Sequence, residues 1–284
     1  MHKFQGLLCL VGLALALPAC ADKSSDAAND SAGGGTEGEG EGEGEGEGEG
    51  EGEGEIEGAS LTGQVVYEDG TPASGGVQAR LCFEVCVSKT PDSSGTFLFE
   101  GIDPATHSFE IVALGQQDDY ATPLAPATFT GEEARALTGP VVLAKFADKE
   151  MLSGAADVTI GGKLTISADS AWLTPNINSP STTPYIAGVE VAVDGSLPTD
   201  GITGQVVAMW QLGLFEAAAD PVLPFTLSDT YGLSEGATLH IYAASYDDHE
   251  WVAGGTATVG AAGITSDEGS GIPILSTFIL VNEG

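Results

Sequence analysis

Residues 61–72 read LTGQVVYEDGTP, and this stretch decides the fold of the chain. The apolar side chains of Leu61, Val65 and Tyr67 occupy alternate positions, and the Asp-Gly pair at 69–70 opens a run of turn-forming residues. A period of two predicts a strand with one buried face, and Asp-Gly predicts a tight turn at its end. The stretch therefore predicts a strand and a turn of an all-β fold.

The same pattern recurs along the rest of the chain. Further alternating rows lie at 77–81, 96–99, 108–114, 164–166, 189–193, 206–210 and 239–243. Prolines at 175, 180, 184, 198, 221 and 224 fall between rows, as loops and strand edges allow. Only 132–137 hints at a helix, and so short a window indicates a turn equally well. We expect an all-β chain with two β-sandwich domains, at residues 60–144 and 145–284.

Turn and core residues of the first half carry a family resemblance. They are Gly63-Gln64-Val65-Val66, Asp69-Gly70-Thr71-Pro72, Asp92-x-x-Gly95-x-Phe97 and Gly101-Ile102-Asp103-Pro104. Over residues 60–115 this pattern resembles the carboxypeptidase regulatory-like family. The resemblance implies a transthyretin-like β-sandwich that is the non-catalytic companion of the peptidases.

A second resemblance covers part of the later half. The motifs are Pro224-Phe225-Thr226-Leu227, Gly236-x-x-Leu239, and Gly255-Thr256-Ala257-Thr258-Val259 following Trp251. They are similar to ZU5-like modules of large bacterial surface proteins. The resemblance implies another β-sandwich.

The amino terminus predicts export. A basic start precedes an unbroken apolar run from Leu7 to Leu17, whose eleven residues rise about 16 Å as a helix, half a bilayer core. Residues 1–19 are therefore expected to be a signal peptide. The sequence Leu17-Pro18-Ala19-Cys20 resembles the lipobox of bacterial lipoproteins, which implies lipidation at Cys20. Ala21 after the cysteine implies sorting to the outer membrane, and plain secretion with cleavage near Ala19 or Ala21 is the alternative.

Residues 20–59 predict a disordered acidic tether. The segment contains nine consecutive Glu-Gly pairs at 37–54, and Ile56 is its only large apolar side chain. Such a composition cannot bury enough surface to offset the entropy of ordering. We expect a spacer, and calcium capture by the spaced carboxylates is the alternative.

The charge of the chain excludes one class of partner. The whole sequence has a formal net charge of -34, and residues 60–284 still carry 28 acidic and 6 basic side chains. A surface this negative repels phosphate backbones, so we expect no nucleic-acid partner.

Two cysteines, Cys82 and Cys86, lie in the predicted domains. Outside the cytoplasm such a pair is expected to oxidise. A straight strand would separate their Cα atoms by about 13 Å, so a disulfide requires a tight turn at 83–85. The rival reading, a redox-active dithiol, usually has two intervening residues at a helix start.

The densest polar cluster is Asp247, Asp248, His249 and Glu250, and we expect it at a hairpin tip. Calcium or a transition metal is the alternative role for these four side chains. The His107-x-x-Glu110 spacing is that of zinc ligands, but strand alternation places His107 on the inner face with Phe109 and predicts that Glu110 points outward. Two ligands on opposite faces of a sheet cannot share a metal.

No catalytic motif is present: the chain has no Gly-x-Ser-x-Gly, no His-Glu-x-x-His and no phosphate-binding loop. We therefore expect a lipid-anchored cell-surface or periplasmic interaction or structural protein of the outer membrane, with no enzymatic activity and no cofactor. Its expected partners are the membrane, through the lipid, and an envelope protein or polysaccharide. A carbohydrate-binding role, with Trp172, Trp210 and Trp251 as candidate platforms, is the alternative, and a hydrolase with dispersed carboxylates is the third.

Overall fold

Strands and the turns between them make up residues 58–284, the part of the chain that the computed structural model describes. The predicted signal peptide, Cys20 and the tether up to residue 57 lie outside the described residues. Within 58–284 the fold is all-β, as the alternation predicts, and no helix there is long and apolar enough to cross a membrane.

The first half contains eight strands in two sheets. They are β1 (Ala59–Tyr67), β2 (Val77–Cys82), β3 (Cys86–Lys89), β4 (Thr96–Ile102), β5 (Ala105–Ala113), β6 (Leu124–Phe129), β7 (Ala134–Ala136) and β8 (Val141–Leu143). One sheet has the order β4-β1-β7, with β8 also on β1, and the other has the order β3-β2-β5-β6. The two sheets pack as a sandwich around buried residues such as Leu61, Phe99, Phe109 and Ile111.

Strand β1 is central to its sheet. It runs antiparallel to β4, with Leu61 opposite Phe99, and parallel to β7 near its start and to β8 near its end. The pairing with β7 resolves the ambiguous segment at 132–137, which is neither a helix nor a simple turn but contains a short strand.

The turns predicted from Asp-containing runs are held by their own side chains. The Oδ1 atom of Asp69 accepts hydrogen bonds from the amide and hydroxyl of Thr71. The Oδ1 atom of Asp92 accepts hydrogen bonds from the amides of Ser94 and Thr96. Aspartate favours such turns because its short side chain can replace a backbone acceptor two residues on. These contacts fix where β1 and β4 end and begin.

The second half contains thirteen strands. They are β9 (Lys149–Met151), β10 (Ala155–Ile160), β11 (Leu164–Asp169), β12 (Leu173–Thr174), β13 (Tyr185–Val191), β14 (Gln205–Gly213), β15 (Ala217–Leu223), β16 (Phe225–Leu227), β17 (Thr238–Ser245), β18 (Glu250–Gly260), β19 (Gly263–Ser266), β20 (Ile272–Leu275) and β21 (Thr277–Asn282). Ten of them form one sheet, in the order β10-β11-β16-β19-β18-β17-β21-β14-β13-β9, and β12-β15-β20 form a smaller one.

Pro221 lies inside β15, where the register with β20 shifts between Ala218 and Leu223, so the missing amide falls at an irregularity. The alternating row at 189–193 predicts a strand with one apolar face, but Val193 lies beyond the end of β13 and is 46% exposed.

The ten-stranded sheet is covered on both faces. In β21, Phe278 and Leu280 pack into the core of the second half, whereas Ile279 and Val281 join the core of the first sandwich. No sheet of the described residues pairs a strand before residue 144 with one after 145, although residues 58–284 form one compact unit. Since the two halves share a core, the division into two domains stays a prediction.

Candidate binding groove

A groove of about 440 Å³ lies where the first sandwich meets the β17–β18 hairpin. Its lining combines aromatic, hydroxyl and carboxylate side chains with two turn residues. The lining residues are Phe83, Thr106, Pro126, Thr128, Asp200, Gly201, Ile202, Tyr242, Asp248, His249, Glu250 and Trp251. We call this the interface groove, since both halves of the described chain contribute to it.

Two of its aromatic rings come from the β17–β18 hairpin. In the antiparallel register Ala244 lies opposite Trp251, so Tyr242 and Trp251 project from the same face of the sheet. Both side chains are half-buried against the first sandwich. The indole Nε1 of Trp251 is buried and has no hydrogen-bond partner among the described residues. The hairpin therefore supplies aromatic surface at the base of the groove.

The opposite wall contains two hydroxyl groups and one carboxylate whose charge is paired with an arginine. The hydroxyls of Thr106 and Thr128 lie 3.0 Å apart across β5 and β6. Asp200 accepts a hydrogen bond from the amide of Thr128 and forms a two-point ion pair with Arg135, in which Nη2 and Oδ1 are 3.0 Å apart. Because Arg135 and the Thr128 amide occupy its oxygens, Asp200 acts mainly as a structural part of the wall.

His249 holds the rim of the groove to the first sandwich. Its Nδ1 lies 2.8 Å from the hydroxyl of Ser108, which donates to the carbonyl of Tyr246. Since a carbonyl can only accept, we assign the proton of this contact to Nδ1, which leaves Nε2 as an acceptor. Burial, together with nearby His107, lowers the pKa of His249. The imidazole is accordingly neutral near pH 7.

Ser108 and His249 do not form a nucleophilic pair. The Ser108 side chain is fully buried, and its hydroxyl donates a hydrogen bond to the backbone carbonyl of Tyr246. A nucleophilic serine needs an exposed oxygen whose proton is taken by the neighbouring imidazole. The pair therefore joins the two halves of the structure.

The predicted disulfide between Cys82 and Cys86 is present, and it closes a tight turn with Cα atoms 4.0 Å apart. The turn holds Phe83 at the mouth of the groove, where its ring lies 5.6 Å from that of His249 and 5.7 Å from that of His107. The hydroxyl of Tyr246 donates to Cys86 Sγ over 3.0 Å. The bridge thus braces a loop that contacts the second half.

The polar cluster 247–250 lies at the hairpin tip, as expected from sequence, and three of its members line the groove. Its side chains diverge. Asp247 lies 3.5 Å from Asn178, Asp248 accepts from the Ser245 hydroxyl, and His249 contacts Ser108. Glu250 begins β18 and is exposed. Within residues 58–284 no group of three or more His, Cys, Asp or Glu side chains is placed to hold a metal ion.

Glu110 corrects a sequence prediction. It was expected to point to solvent, but it is only 3% exposed, because the outer face of the β3-β2-β5-β6 sheet is covered by the second half. Arg80 Nη1 lies 3.4 Å from its carboxylate. Burial raises the pKa of Glu110, and Arg80 opposes this effect. His107 lies on the other face, against Phe129, as the alternation predicts.

Glu216 is a second buried carboxyl group, and the sequence reasoning missed it. It is 3% exposed, and its Oε1 accepts a hydrogen bond of 3.0 Å from the amide of Tyr246. Burial raises its pKa to about 8, with further contributions from Asp247 and Glu110. A signal was available, since Glu216 is the only charged residue in the stretch 211–219.

Comparison of the chain with models of known protein families gives no match, and comparison with curated proteins gives none. Among solved structures it is similar to the crystal structure of a "putative carbohydrate binding protein" from Bacteroides uniformis. The TM-score is 0.23 and the sequence identity 8%, with 79% of each chain covered. These values assign neither a family nor an activity to this chain.

Proposed function

We propose that the chain is a lipid-anchored binding protein of the bacterial cell surface whose interface groove holds a neutral carbohydrate without cleaving it. The observation that carries the proposal is the joint lining of the groove, where Phe83, Tyr242 and Trp251 lie close to the Thr106 and Thr128 hydroxyls and to Glu250. Aromatic faces pack against the C–H faces of a sugar ring, and carboxylates and hydroxyls exchange hydrogen bonds with its hydroxyl groups.

The dimensions of the groove suit a short saccharide. Its volume of about 440 Å³ falls within the range of small-molecule sites, about 300 to 1,000 Å³. The indole Nε1 of Trp251 is a hydrogen-bond donor that has no partner within 58–284. An aromatic base with polar walls therefore provides both stacking area and orientation.

The charge of the groove selects against acidic sugars. The lining includes Asp200, Asp248 and Glu250 but no lysine or arginine, and the nearby Arg135 is already paired with Asp200. A uronic acid or sulfated sugar would meet the carboxylates of Asp248 and Glu250, which have no basic partner among the described residues. We therefore assign the groove to neutral sugars.

Titration calorimetry with neutral cello-, manno-, xylo- and galacto-oligosaccharides, and with an oligouronate of equal length, tests this assignment. We expect one neutral series to bind and the oligouronate to give no heat. Tyr242→Ala should weaken binding about tenfold, which corresponds to about 1.4 kcal/mol. Glu250→Gln should weaken it less, and Glu235→Gln, an exposed acid outside the groove, should leave it unchanged. Absence of binding by every neutral series at millimolar concentration would refute the assignment.

The anchor is a separate part of the proposal, supported by the lipobox-like residues at 17–20. Two or three acyl chains hold a protein stably at a membrane, whereas one chain does so only marginally. We expect intact-mass analysis of protein from membranes of a lipoprotein-processing bacterial host to show a chain that starts at Cys20 with added acyl mass. Cys20→Ala should abolish this species, and an unlipidated soluble product from both chains would make the protein a freely secreted one.

One observation favours a hydrolase as a second candidate. Glu110 and Glu216 are both buried, and the charge of the first contributes to the raised pKa of the second. Carboxyl pairs with separated pKa values are typical of glycoside hydrolysis. The space beside Glu110 is only about 70 Å³, which is room for about two water molecules and not for a sugar ring. If a groove-binding saccharide were cleaved, and Glu216→Gln stopped the release of reducing ends, the hydrolase would replace our proposal.

A further inference from the structure

A second concavity lies at the open end of the first sandwich, between the edge strands of its two sheets. β3 ends the order β3-β2-β5-β6, and β4 ends the order β4-β1-β7. The space between them is about 290 Å³. We call it the edge groove. It is lined by Leu81, Phe83, Glu84, Val85, Val87, Phe99, Glu100, Gly101, Ile102, Asp103 and His107.

Apolar side chains form both the floor and one wall of the edge groove. Leu81, Phe99 and Ile102 belong to the sandwich core and form the floor. The wall is exposed to an unusual degree for apolar residues: Val85 is 79% exposed, and Val87 is 53% exposed. Val87 lies opposite Leu81 in the β2–β3 register, so both face the space between the sheets. An apolar side chain placed there would extend the existing core.

The edge strand beside this wall has a free backbone side. All four residues of β3 are exposed, and within 58–284 the strand pairs with β2 alone. An unpaired edge offers amide and carbonyl groups to a further strand. The Cys82–Cys86 bridge holds β3 in register with β2. The edge strand is therefore preorganised in the free protein.

The rim of the edge groove is acidic. Glu84, Glu100 and Asp103 line it, and no lysine or arginine does. A second copy of this chain is a poor occupant because residues 60–284 carry 28 acidic and only 6 basic side chains. The acidic segment 20–57 is also a poor occupant, since its single large apolar residue, Ile56, is flanked by Glu55 and Glu57. The rim selects a basic occupant.

We propose that the edge groove binds an extended, basic polypeptide segment of a partner protein, which adds as a strand to β3 and inserts alternate apolar side chains between the two sheets. Backbone hydrogen bonds to β3 hold the segment, the apolar side chains reach the floor at Leu81 and Phe99, and basic side chains meet the acidic rim. This site is distinct from the interface groove, although Phe83 borders both.

The test uses a synthetic seven-residue peptide of alternating lysine and valine as the probe, with binding measured by fluorescence anisotropy. Three related peptides separate the contributions: glutamate in place of lysine, serine in place of valine, and N-methylation of alternate amides along one edge. We expect the lysine-valine peptide to bind and each of the other three to bind at least about tenfold more weakly. Affinity should fall as salt rises, because charge attraction contributes to it.

Protein variants locate the binding. The double variant Val85→Lys with Val87→Lys should bind the lysine-valine peptide at least about tenfold more weakly. Leu98→Lys is the matched control, since Leu98 is a 45% exposed apolar residue of β4 outside the groove, and it should leave binding unchanged. Equal binding of the N-methylated peptide would overturn strand addition, and equal binding by the Val85/Val87 variant would overturn the location. Loss of neutral-sugar binding in Tyr242→Ala does not bear on either result.

Discussion

Glu216 shows how the environment of one residue determines its charge. Its backbone φ is 59°, a left-handed conformation that residues other than glycine seldom adopt, and its buried carboxyl group accepts a hydrogen bond from the Tyr246 amide. Burial of a charge in this setting is unfavourable, so the proton stays on the carboxyl until the pH reaches about 8. In the unfolded chain the same group loses its proton near pH 4.5.

This difference gives a prediction for stability against pH. Because the folded pKa is raised, the stabilising contribution of Glu216 is complete below about pH 4.5 and is lost as the pH rises towards 8. The free energy of unfolding should fall by up to about 1.4 kcal/mol per pH unit across this window from this group. Glu216→Gln keeps an acceptor for the Tyr246 amide but cannot ionise.

Urea unfolding at pH 5 and pH 8 measures the effect. We expect the stability of Glu216→Gln relative to the parent protein to increase from pH 5 to pH 8. Glu235→Gln, an exposed acid with the same change in charge, should show no such gain. A gain at pH 8 that is equal in both variants would mean that general charge repulsion, and not burial, is responsible.

At the scale of elements, the close approach of the turn before β4 to β1 depends on a glycine. Gly95 has a φ of +79°, and a Cβ added there would lie 2.3 Å from the carbonyl oxygen of Val65. Gly70, in the turn after β1, has the same φ, but its Cβ would meet nothing within 4 Å. The two positions differ in packing while sharing a backbone conformation.

We predict that Gly70→Ala lowers the free energy of unfolding by about 1 kcal/mol, the cost of a left-handed alanine. Gly95→Ala should lower it by about 3 kcal/mol, because the clash with β1 adds to the same backbone cost. Chemical denaturation of both variants gives the comparison. Equal losses would show that the Val65 carbonyl moves away without penalty.

The disulfide hairpin makes a second prediction at this scale. A closed loop of five residues restricts the unfolded chain by an amount worth about 2 kcal/mol. The double variant Cys82→Ala with Cys86→Ala should therefore unfold about 2 kcal/mol more easily, and it should loosen the contact with Tyr246. The parent protein measured in a strong thiol reductant should behave like the variant, and an unchanged unfolding midpoint in reductant would contradict the assignment.

At the scale of the whole molecule, residues 60–284 carry a large excess of acidic side chains. Repulsion among these charges opposes the compact state and is screened by salt, whose Debye length shrinks to about 3 Å at 1 M. We predict that the melting temperature rises between low salt and about 1 M sodium chloride. A melting temperature that is flat or falls over this range would mean that the charges are already compensated in the folded state.

The strands and turns follow from local chemistry, and so they could be predicted from sequence. The alternation in 61–67, the turns at Asp69 and Asp92, and the Cys82–Cys86 bridge all depend on residues close together in the chain. The strand β7 could not be predicted in this way because its three residues are set by pairing with the distant β1.

The sites depend on contacts between distant parts of the chain. Glu110 was expected to face solvent because it alternates with the apolar residues of β5. Such alternation shows that a strand has two different faces, but it does not show what covers the second face. The continuous apolar run 278–281 carried the missing signal, since a strand that is apolar at successive positions is buried on both faces. The interface groove exists only because that doubly covered sheet meets the first sandwich.

The central position of β1 has a mechanical consequence for a tethered protein. If Cys20 anchors the chain, as we propose, tension from the cell surface enters the described fold at Ala59, the first residue of β1. This strand is hydrogen-bonded to β4 on one side and to β7 and β8 on the other. A pull along β1 loads those bonds together in shear, so the sandwich next to the anchor should resist forces that would peel an edge strand away one bond at a time.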